Sequence, residues 1–498
     1  MYSHASLDAR GLTRRMAQLE QRLGRLAGML LMLGAGLCVA LFAFLVWRHG
    51  LSLHYLVLLG VALMVGFGAR MPASFRINSV LFGVSTLVGL YVAELLLAYS
   101  GSAITSLGAQ AWLSFPQDGN VRVAAERMKT VQETHQAFDT RSRLEVVLDM
   151  RARGVKAYPD VFPMVLFAPS SGEHIQSVLA SPRGEFLPVA GMAMTTTVFC
   201  NESGEYIVYE SDEHGFHNPR GIWDRRPAEL LALGDSYTHG VCVPSEKGFV
   251  AVIRAQHPGT VNLGVNSHGP LTSLATLKEY GPILRPKLVL WFYYEGNDLR
   301  DLDGWEKKSP LLMKYVSSSF SQHLFERQPE IDRALRDYLD AAIAKATAPV
   351  PFEAIVKLQH LRQAIQSFYE RRPAEQGMPA ELLKHLRQRG APAAAANLQL
   401  FERILAEART TAETWNGRVV FVYLPTWERY RIPELASKDR DLVLGIARHL
   451  NLHVVDLHPV FAAHPDPLAL FPFRRYAHYN EAGHRLVGEE VLRHLESL

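Results

Sequence analysis

The sequence predicts a three-pass helical membrane anchor leading into an α/β domain built on a parallel sheet. Three observations carry this reading. Apolar runs at 26–47, 51–69 and 80–99 follow one another with only short polar turns between them. Beyond residue 229, short apolar strands alternate with helical stretches, the pattern of a parallel sheet with helices on both sides. One of those strands, 287–293 (Lys-Leu-Val-Leu-Trp-Phe-Tyr), is almost wholly apolar, as a strand buried on both faces requires.

Bulk composition narrows the class. The chain has 498 residues, 48% hydrophobic and 20% charged, which fits neither wholesale disorder nor a fibrous repeat. Lys and Arg number 52 against 49 Asp and Glu, so no nucleic-acid partner is expected. Three cysteines exclude a disulfide-framework protein and a Cys-rich metal site. Although there are 20 histidines, neither His-Glu-x-x-His nor Cys-x-x-Cys spacing occurs, and no metal or cofactor is expected.

Each apolar run is long enough to cross a hydrocarbon core of about 30 Å as a helix. The first is too long for a signal peptide, follows a long flank and lacks a small-x-small cleavage site. Arg10, Arg14, Arg15, Arg22 and Arg25 precede it, and Arg70 and Arg76 flank the second turn. Positive-inside bias then places residues 1–25 and the second turn in the cytoplasm. Residues 26–99 form the anchor, and 100–498 lie beyond the membrane, periplasmic in a Gram-negative cell. The expected location is therefore the inner (cytoplasmic) membrane, multi-pass. Glu94, inside the third run, reads either as a functional acid or as one that snorkels or meets a partner helix.

The exported part divides at about residue 225. Residues 100–225 read as a small α+β lead-in, with helical spacing over 119–155, alternation near 195–210 and a turn-rich stretch at 214–219. Residues 226–498 carry the alternating strands and helices, interrupted at about 302–416 by a charged, Ala-rich helical insertion.

Three separated pieces fall at the carboxyl ends of strands, where an open α/β sheet places its ligand site. The first is Gly234-Asp235-Ser236, running directly out of the strand at 230–233. A serine on a strand-to-helix turn exposes its hydroxyl, and its own N–H faces developing negative charge. Alone the tripeptide is weak, since Ser is a frequent helix cap. The second is Gly296-Asn297-Asp298, after the most apolar strand, where the Asn amide can donate to an oxyanion although such a run is also an ordinary turn. The third is His478-Tyr479-Asn480-Glu481-Ala482-Gly483-His484, ahead of the terminal helix, which supplies a candidate base.

Together, and in this order, the pieces resemble the SGNH hydrolases, the GDS-type esterases and lipases. The resemblance covers about 229–301 and 418–498. It implies a flavodoxin-like three-layer fold and acyl transfer to water. Ser236 would attack, His478 would take its proton, and the oxyanion would be held by the Ser236 N–H, a second-block N–H and the Asn297 amide. The second block reads Asn262-Leu263-Gly264-Val265-Asn266-Ser267-His268-Gly269-Pro270, and Ser267 and Gly269 are equal candidates for its donor. The family's acid, two or three residues before the base, is missing, because Arg475 and Tyr476 stand there. A backbone carbonyl orienting His478, an acid such as Asp466 folding in, or a degenerate site are the alternatives. An Arg beside the base would lower its pKa.

Two further features stay open. Cys200 and Cys242 are either bonded or two buried thiols, with Cys38 in the first span out of reach. Arg474 and Arg475 are either an anion site or a solvated basic turn. The expected function is a membrane-anchored serine esterase acting on acyl esters of cell-envelope glycans or lipids, with the bilayer and possible envelope-polysaccharide machinery as partners. An O-acyltransferase on envelope polysaccharide and a non-catalytic glycan-binding or assembly protein with a decayed site are the rivals.

Overall fold

The computed structural model describes residues 4–49, 56–99, 137–170, 172–181, 184–316, 319–348, 352–362, 365, 395–435, 437–475 and 477–498. Residues 119–136 of the helical stretch expected over 119–155, Tyr476 and most of the insertion between 349 and 394 lie outside these. The chain forms two compact units, Met1–Thr105 with Val350–Tyr369, and Ser106–Pro349 with Glu370–Leu498.

The first unit contains α1 (His4–His49), α2 (Leu56–Gly68) and α3 (Ala73–Tyr99). Stretches Leu12–Phe44 and Ala73–Leu97 are long and apolar enough to cross a bilayer. The described part of the middle run is 13 residues, about 20 Å at 1.5 Å per residue, and residues 50–55 lie outside the description. Leu33, Leu37, Leu63 and Phe82 are exposed. Glu94 is fully buried. It accepts from the backbone N–H groups of His360 at 3.0 Å and Leu361 at 2.7 Å, and stands 2.6 Å from His360 Nδ1. Tyr91 Oη donates to the Val356 carbonyl of a short helix, Phe352–Val356. The acid of the third run is thus met by a segment of the insertion, which returns to α3.

The second unit opens with α4 (Arg143–Ala152), whose start is fixed by a reciprocal Ser142–Glu145 capping box. A small sheet follows. β1 (Ala157–Pro159) runs parallel to β2 (Thr196–Val198), which pairs antiparallel with β3 (Val208–Glu210). The main sheet has β4 (Leu230–Leu233), β5 (Thr260–Asn262), β6 (Leu288–Tyr294), β7 (Arg418–Leu424) and β8 (His453–Asp456), in the order β5-β4-β6-β7-β8 with every pair parallel. That is the 2-1-3-4-5 order of flavodoxin-like sheets, whose crevice opens where the winding reverses between the first and third strands. Here those strands are β4 and β6.

Successive side chains of a strand point to opposite faces, so an apolar run must be covered twice. Val289, Trp291 and Tyr293 of β6 join one buried cluster, while Leu290, Phe292 and Tyr294 join another. On the first face lie α7 (Pro270–Leu284), α10 (Ala395–Glu413) and α11 (Arg440–His449); on the second lie α6 (Phe249–Gln256) and α12 (Glu481–Leu495). Between them in sequence, α5 (Ser236–His239), α8 (Asp298–Gly304) and α9 (Gln328–Thr347) complete the numbering. Burying each large apolar side chain contributes about 1.5–3 kcal/mol, which is why three layers form.

Two expected boundaries shift. Val147, Phe186 and Trp223 of the lead-in belong to the same cluster as the first face of the main sheet, so residue 225 divides no core. The insertion is also not one body. Leu335 and Leu339 of α9 and Phe401, Ile404 and Leu405 of α10 are core residues, with Phe401 packed on Tyr293 and Phe421, while Val350–Tyr369 goes with the unit that holds α1, α2 and α3. Apolar spacing, hidden among charges, recruits α9 and α10 to one core, while the stretch between them goes elsewhere.

Candidate active site

β4 delivers Ser236 through a turn that only glycine permits at its first position. Gly234 has φ +154°, and a Cβ there would lie 2.3 Å from Thr238 Oγ1 and 2.8 Å from the Phe292 carbonyl. Asp235 then caps α5 by accepting from the Tyr237 N–H at 3.0 Å. Ser236 becomes the first helical residue, buried but with its Oγ 2.9 Å from His478 Nε2.

His478 precedes α12, which Asn480 caps by accepting from the Gly483 N–H at 3.1 Å. The Tyr237 ring lies 4.8 Å from the imidazole, and Tyr479 anchors the segment by donating to the Pro425 carbonyl at 2.5 Å. The acid absent from its usual place comes from the lead-in. Glu202, between β2 and β3, has a side chain only 2% exposed. Its Oε1 is 3.0 Å from His478 Nδ1, and its Oε2 accepts the His478 backbone N–H at 2.9 Å. An ionised carboxylate only accepts, so the neutral imidazole carries its proton on Nδ1 and presents the Nε2 lone pair to Ser236. Serine, histidine and carboxylate form one continuous chain.

This corrects the sequence expectation. Asp466 does not fold in, because it pairs with Arg474, one contact being 3.0 Å from Arg474 Nη2. Arg474 is accordingly part of an exposed ion pair. His484, the second histidine of that block, accepts from the Phe249 N–H at 3.2 Å, and burial pushes its pKa down to about 3. It is a neutral structural residue joining α12 to α6.

The second-block loop lies along the nucleophile turn. Val265 N–H donates to the Gly234 carbonyl at 3.2 Å, and Asn262 Nδ2 to the Thr238 carbonyl at 2.8 Å. The Asn266 N–H is taken by His239 Nδ1 at 3.1 Å. Ser267 sits at φ +60°, in the left-handed region where a non-glycine residue is held by its surroundings. Gly269 caps α7, and a Cβ there would lie 2.6 Å from Glu306 Oε2. Among the described residues, no protein acceptor takes the N–H of Ser236, Ser267 or Gly269.

Asn297, at the end of β6, stands at the same crevice. Its Nδ2 donates to Asp301 Oδ2 at 2.9 Å, its side chain hydrogen-bonds Asp235, and its Oδ1 is buried with no partner among the described residues. Burial raises the Asp235 pKa to about 6, partly offset by the Tyr237 N–H, the charge of His478, Asn297 and Ser236. Burial also raises Asp298 well above the usual carboxylate range. Glu295 takes Arg429 Nε at 2.9 and 3.1 Å and the Thr426 N–H at 2.6 Å, which ties the loop after β7 to the loop after β6.

Cys200 and Cys242 form a disulfide with Cα atoms 5.3 Å apart. Among the described residues no group of His, Cys, Asp and Glu could hold a metal ion. Glu202 is the residue sequence reasoning missed. The available signal was the cysteine pair, since bonding Cys200 to Cys242 brings Glu202 to the Ser236 turn.

No protein-family model and no curated protein matches the chain. Among solved structures the chain is similar to a member of the lipolytic protein G-D-S-L family from Veillonella parvula, at 14% identity over 54% of this chain and all of that one, with a TM-score of 0.29. It is similar to a two-domain esterase active on acetylated mannans, at 13% identity over 55% of this chain and 50% of that one, TM-score 0.29. It is also similar to a lipase/acylhydrolase from Enterococcus faecalis, at 14% identity over 54% of this chain and 96% of that one, TM-score 0.27. Likeness at that level carries neither a reaction nor a substrate to this chain.

Proposed function

We propose that this chain is a membrane-anchored serine hydrolase of the SGNH type that cleaves acyl esters of cell-envelope glycans or lipids. The carrying observation is the run Ser236 Oγ to His478 Nε2 at 2.9 Å and His478 Nδ1 to Glu202 Oε1 at 3.0 Å. Ser236 Oγ attacks the ester carbonyl while His478 Nε2 takes its proton, and Glu202 balances the imidazolium that forms. The N–H groups of Ser236 and of Ser267 or Gly269, with the Asn297 amide, hold the oxyanion. Asn297 must turn one amide hydrogen from a carboxylate to do so. The intermediate collapses, His478 protonates the leaving alcohol, and water repeats the sequence on the acyl-enzyme. A carboxylate in the acid's place supports this reading over that of a decayed site.

An extracytoplasmic catalytic unit agrees with the basic flank of α1 and with a disulfide, a bond of oxidising compartments. A periplasm-specific reporter fused after residue 498 is expected to be active.

Fluorophosphonate labelling of the full-length protein in detergent tests the chemistry. Ser236 is expected to label, and Ser236→Ala to abolish both labelling and turnover of a short-chain ester. Asn297→Ala is expected to cost about 10²–10³ in kcat, the usual effect of one lost oxyanion donor. A folded wild type that neither labels nor turns over any ester or acetylated glycan overturns the reading.

A further inference from the structure

Glu202 reaches His478 from a different sheet than the one that carries the nucleophile. Its loop leaves β2 and returns through β3, strands of three residues each. The loop is pinned by hydrogen bonds: the Phe199 and Ile207 N–H groups donate to the Ile207 and Cys200 carbonyls at 2.9 Å each, and Asn201 donates to the Asp139 carbonyl and accepts the Gly204 N–H, both at 2.9 Å. The Glu202 carboxylate it carries is buried. Removing it from water is costly, and swinging out to solvent relieves the cost. Catalysis nevertheless needs the carboxylate held within about 0.5 Å of its productive place.

To these hydrogen bonds a covalent restraint is added. Cys200, just before Glu202, is bonded to Cys242, just beyond the nucleophile helix α5. The two sulfurs sit in a small buried cluster with Phe199, Tyr209 and Val241, distinct from the two clusters that cover the main sheet. Tyr209 Oη also meets His239 Nε2 at 3.0 Å. His239 Nδ1 accepts from Asn266, which fixes Nε2 as the protonated nitrogen and hence the donor to Tyr209. Acid loop, nucleophile helix and second-block loop are therefore joined at one point, and the disulfide is its covalent member.

We propose that the Cys200–Cys242 disulfide is a positioning element of the active site, holding Glu202 against His478 so that the triad is complete only in the oxidised chain. The inference rests on the serine-hydrolase reading. Closing the bond removes two electrons and two protons from the two thiols. A protein disulfide in an oxidising compartment accepts them by exchange and becomes a dithiol.

The test compares four forms of the full-length protein in nanodiscs with ¹⁵N-labelled histidine: oxidised, reduced with a phosphine while folded, Cys200→Ser/Cys242→Ser, and Glu202→Gln. The His478 Nδ1–H proton resonance, assigned by its loss in His478→Ala, reports the Glu202 contact whether or not an ester turns over. Reduction is expected to remove it, as Glu202→Gln does. In the same samples kcat is expected to fall at least about tenfold with KM nearly constant, and the acid limb of kcat/KM to move to lower pH as in Glu202→Gln. Glu202→Gln should add little once the bond is open, and reoxidation should restore every signal. If the reduced protein keeps the resonance, the rate and the limb while only its Tm falls, the bond is a structural staple and the proposal is overturned. An oxidised protein with the resonance but no esterase activity would count against the hydrolase reading alone. Should the serine variant not fold, the phosphine-reduced protein decides.

Discussion

Glu202 holds His478 at two atoms, with one carboxylate oxygen 3.0 Å from ring Nδ1 and the other taking the backbone N–H of the same residue at 2.9 Å. A single contact would orient the ring about one axis. Two contacts from one carboxylate fix the backbone from which the ring hangs as well, so Nε2 points at Ser236 before substrate arrives. Both contacts are buried, where hydrogen bonds to a charged group are strongest and the loss of one partner costs most.

Removing that charge is expected to cost far more than adding one at Arg475 would gain. Glu202→Gln can keep a contact to His478 but gives no counter-charge to the imidazolium and does not fix the tautomer. A fall of about 10²–10⁴ in kcat is expected, by analogy with the acid of other serine triads. Arg475→Asp is expected to leave the rate within about twofold, because the Nδ1 position is occupied. A clear rise with Arg475→Asp would mean that Glu202 does not serve as the acid.

The fold and two members of the triad are written locally in the sequence. An apolar strand running into Gly-Asp-Ser, another into Gly-Asn-Asp, and a His ahead of a capped terminal helix each show within about ten residues. Glu202 does not, because its partnership with His478 is made by the tertiary fold across 276 residues. Nor does the sharing of one core by the lead-in and the sheet, since nothing local pairs Trp223 with Tyr280 of α7, whose ring lies 5.7 Å away in the folded chain. The division of the insertion was equally hidden. Glu94 announces an acid in a long apolar run, but not that His360 will meet it.

Gly269 offers a test of the second-block loop that spares the triad. Glu306, whose carboxylate accepts the N–H groups of Leu271 and Thr272 at 3.0 and 2.8 Å, stands where a Cβ would go. Gly269→Ala must push a fully buried carboxylate aside or shift the start of α7. A loss of about 1–3 kcal/mol in stability is expected, the usual range for overpacking, with reduced kcat if the Gly269 N–H serves the oxyanion. Ser267→Gly relieves a positive φ and should not be destabilising beyond about 0.5 kcal/mol. Chemical denaturation and ester turnover of the two variants check both expectations. An unperturbed Gly269→Ala would show that Glu306 does not pack there.

Asp235 makes the site sensitive to pH in a way that can be separated from the triad. Its carboxyl has a pKa of about 6 in the folded protein because it is buried, against an ordinary value of 3.8. A carboxyl raised by folding binds its proton more tightly in the native state. Its stabilising share is therefore fully present below about pH 4 and is lost as pH rises through about 6. Asp235→Asn keeps an acceptor for the Tyr237 N–H and removes the titration. The difference in unfolding free energy between variant and wild type should grow in the variant's favour from pH 4 to 7, by up to about 3 kcal/mol for a shift of this size. Above pH 6 the wild-type anion also lies close enough to His478 for each to favour the other's charged form. Without it the imidazolium loses a neighbouring negative charge, and the acid limb of kcat/KM should move to lower pH. Denaturation and ester hydrolysis measured across pH 4–8 on both proteins decide the matter. A stability difference that does not vary with pH would place the Asp235 titration outside that range.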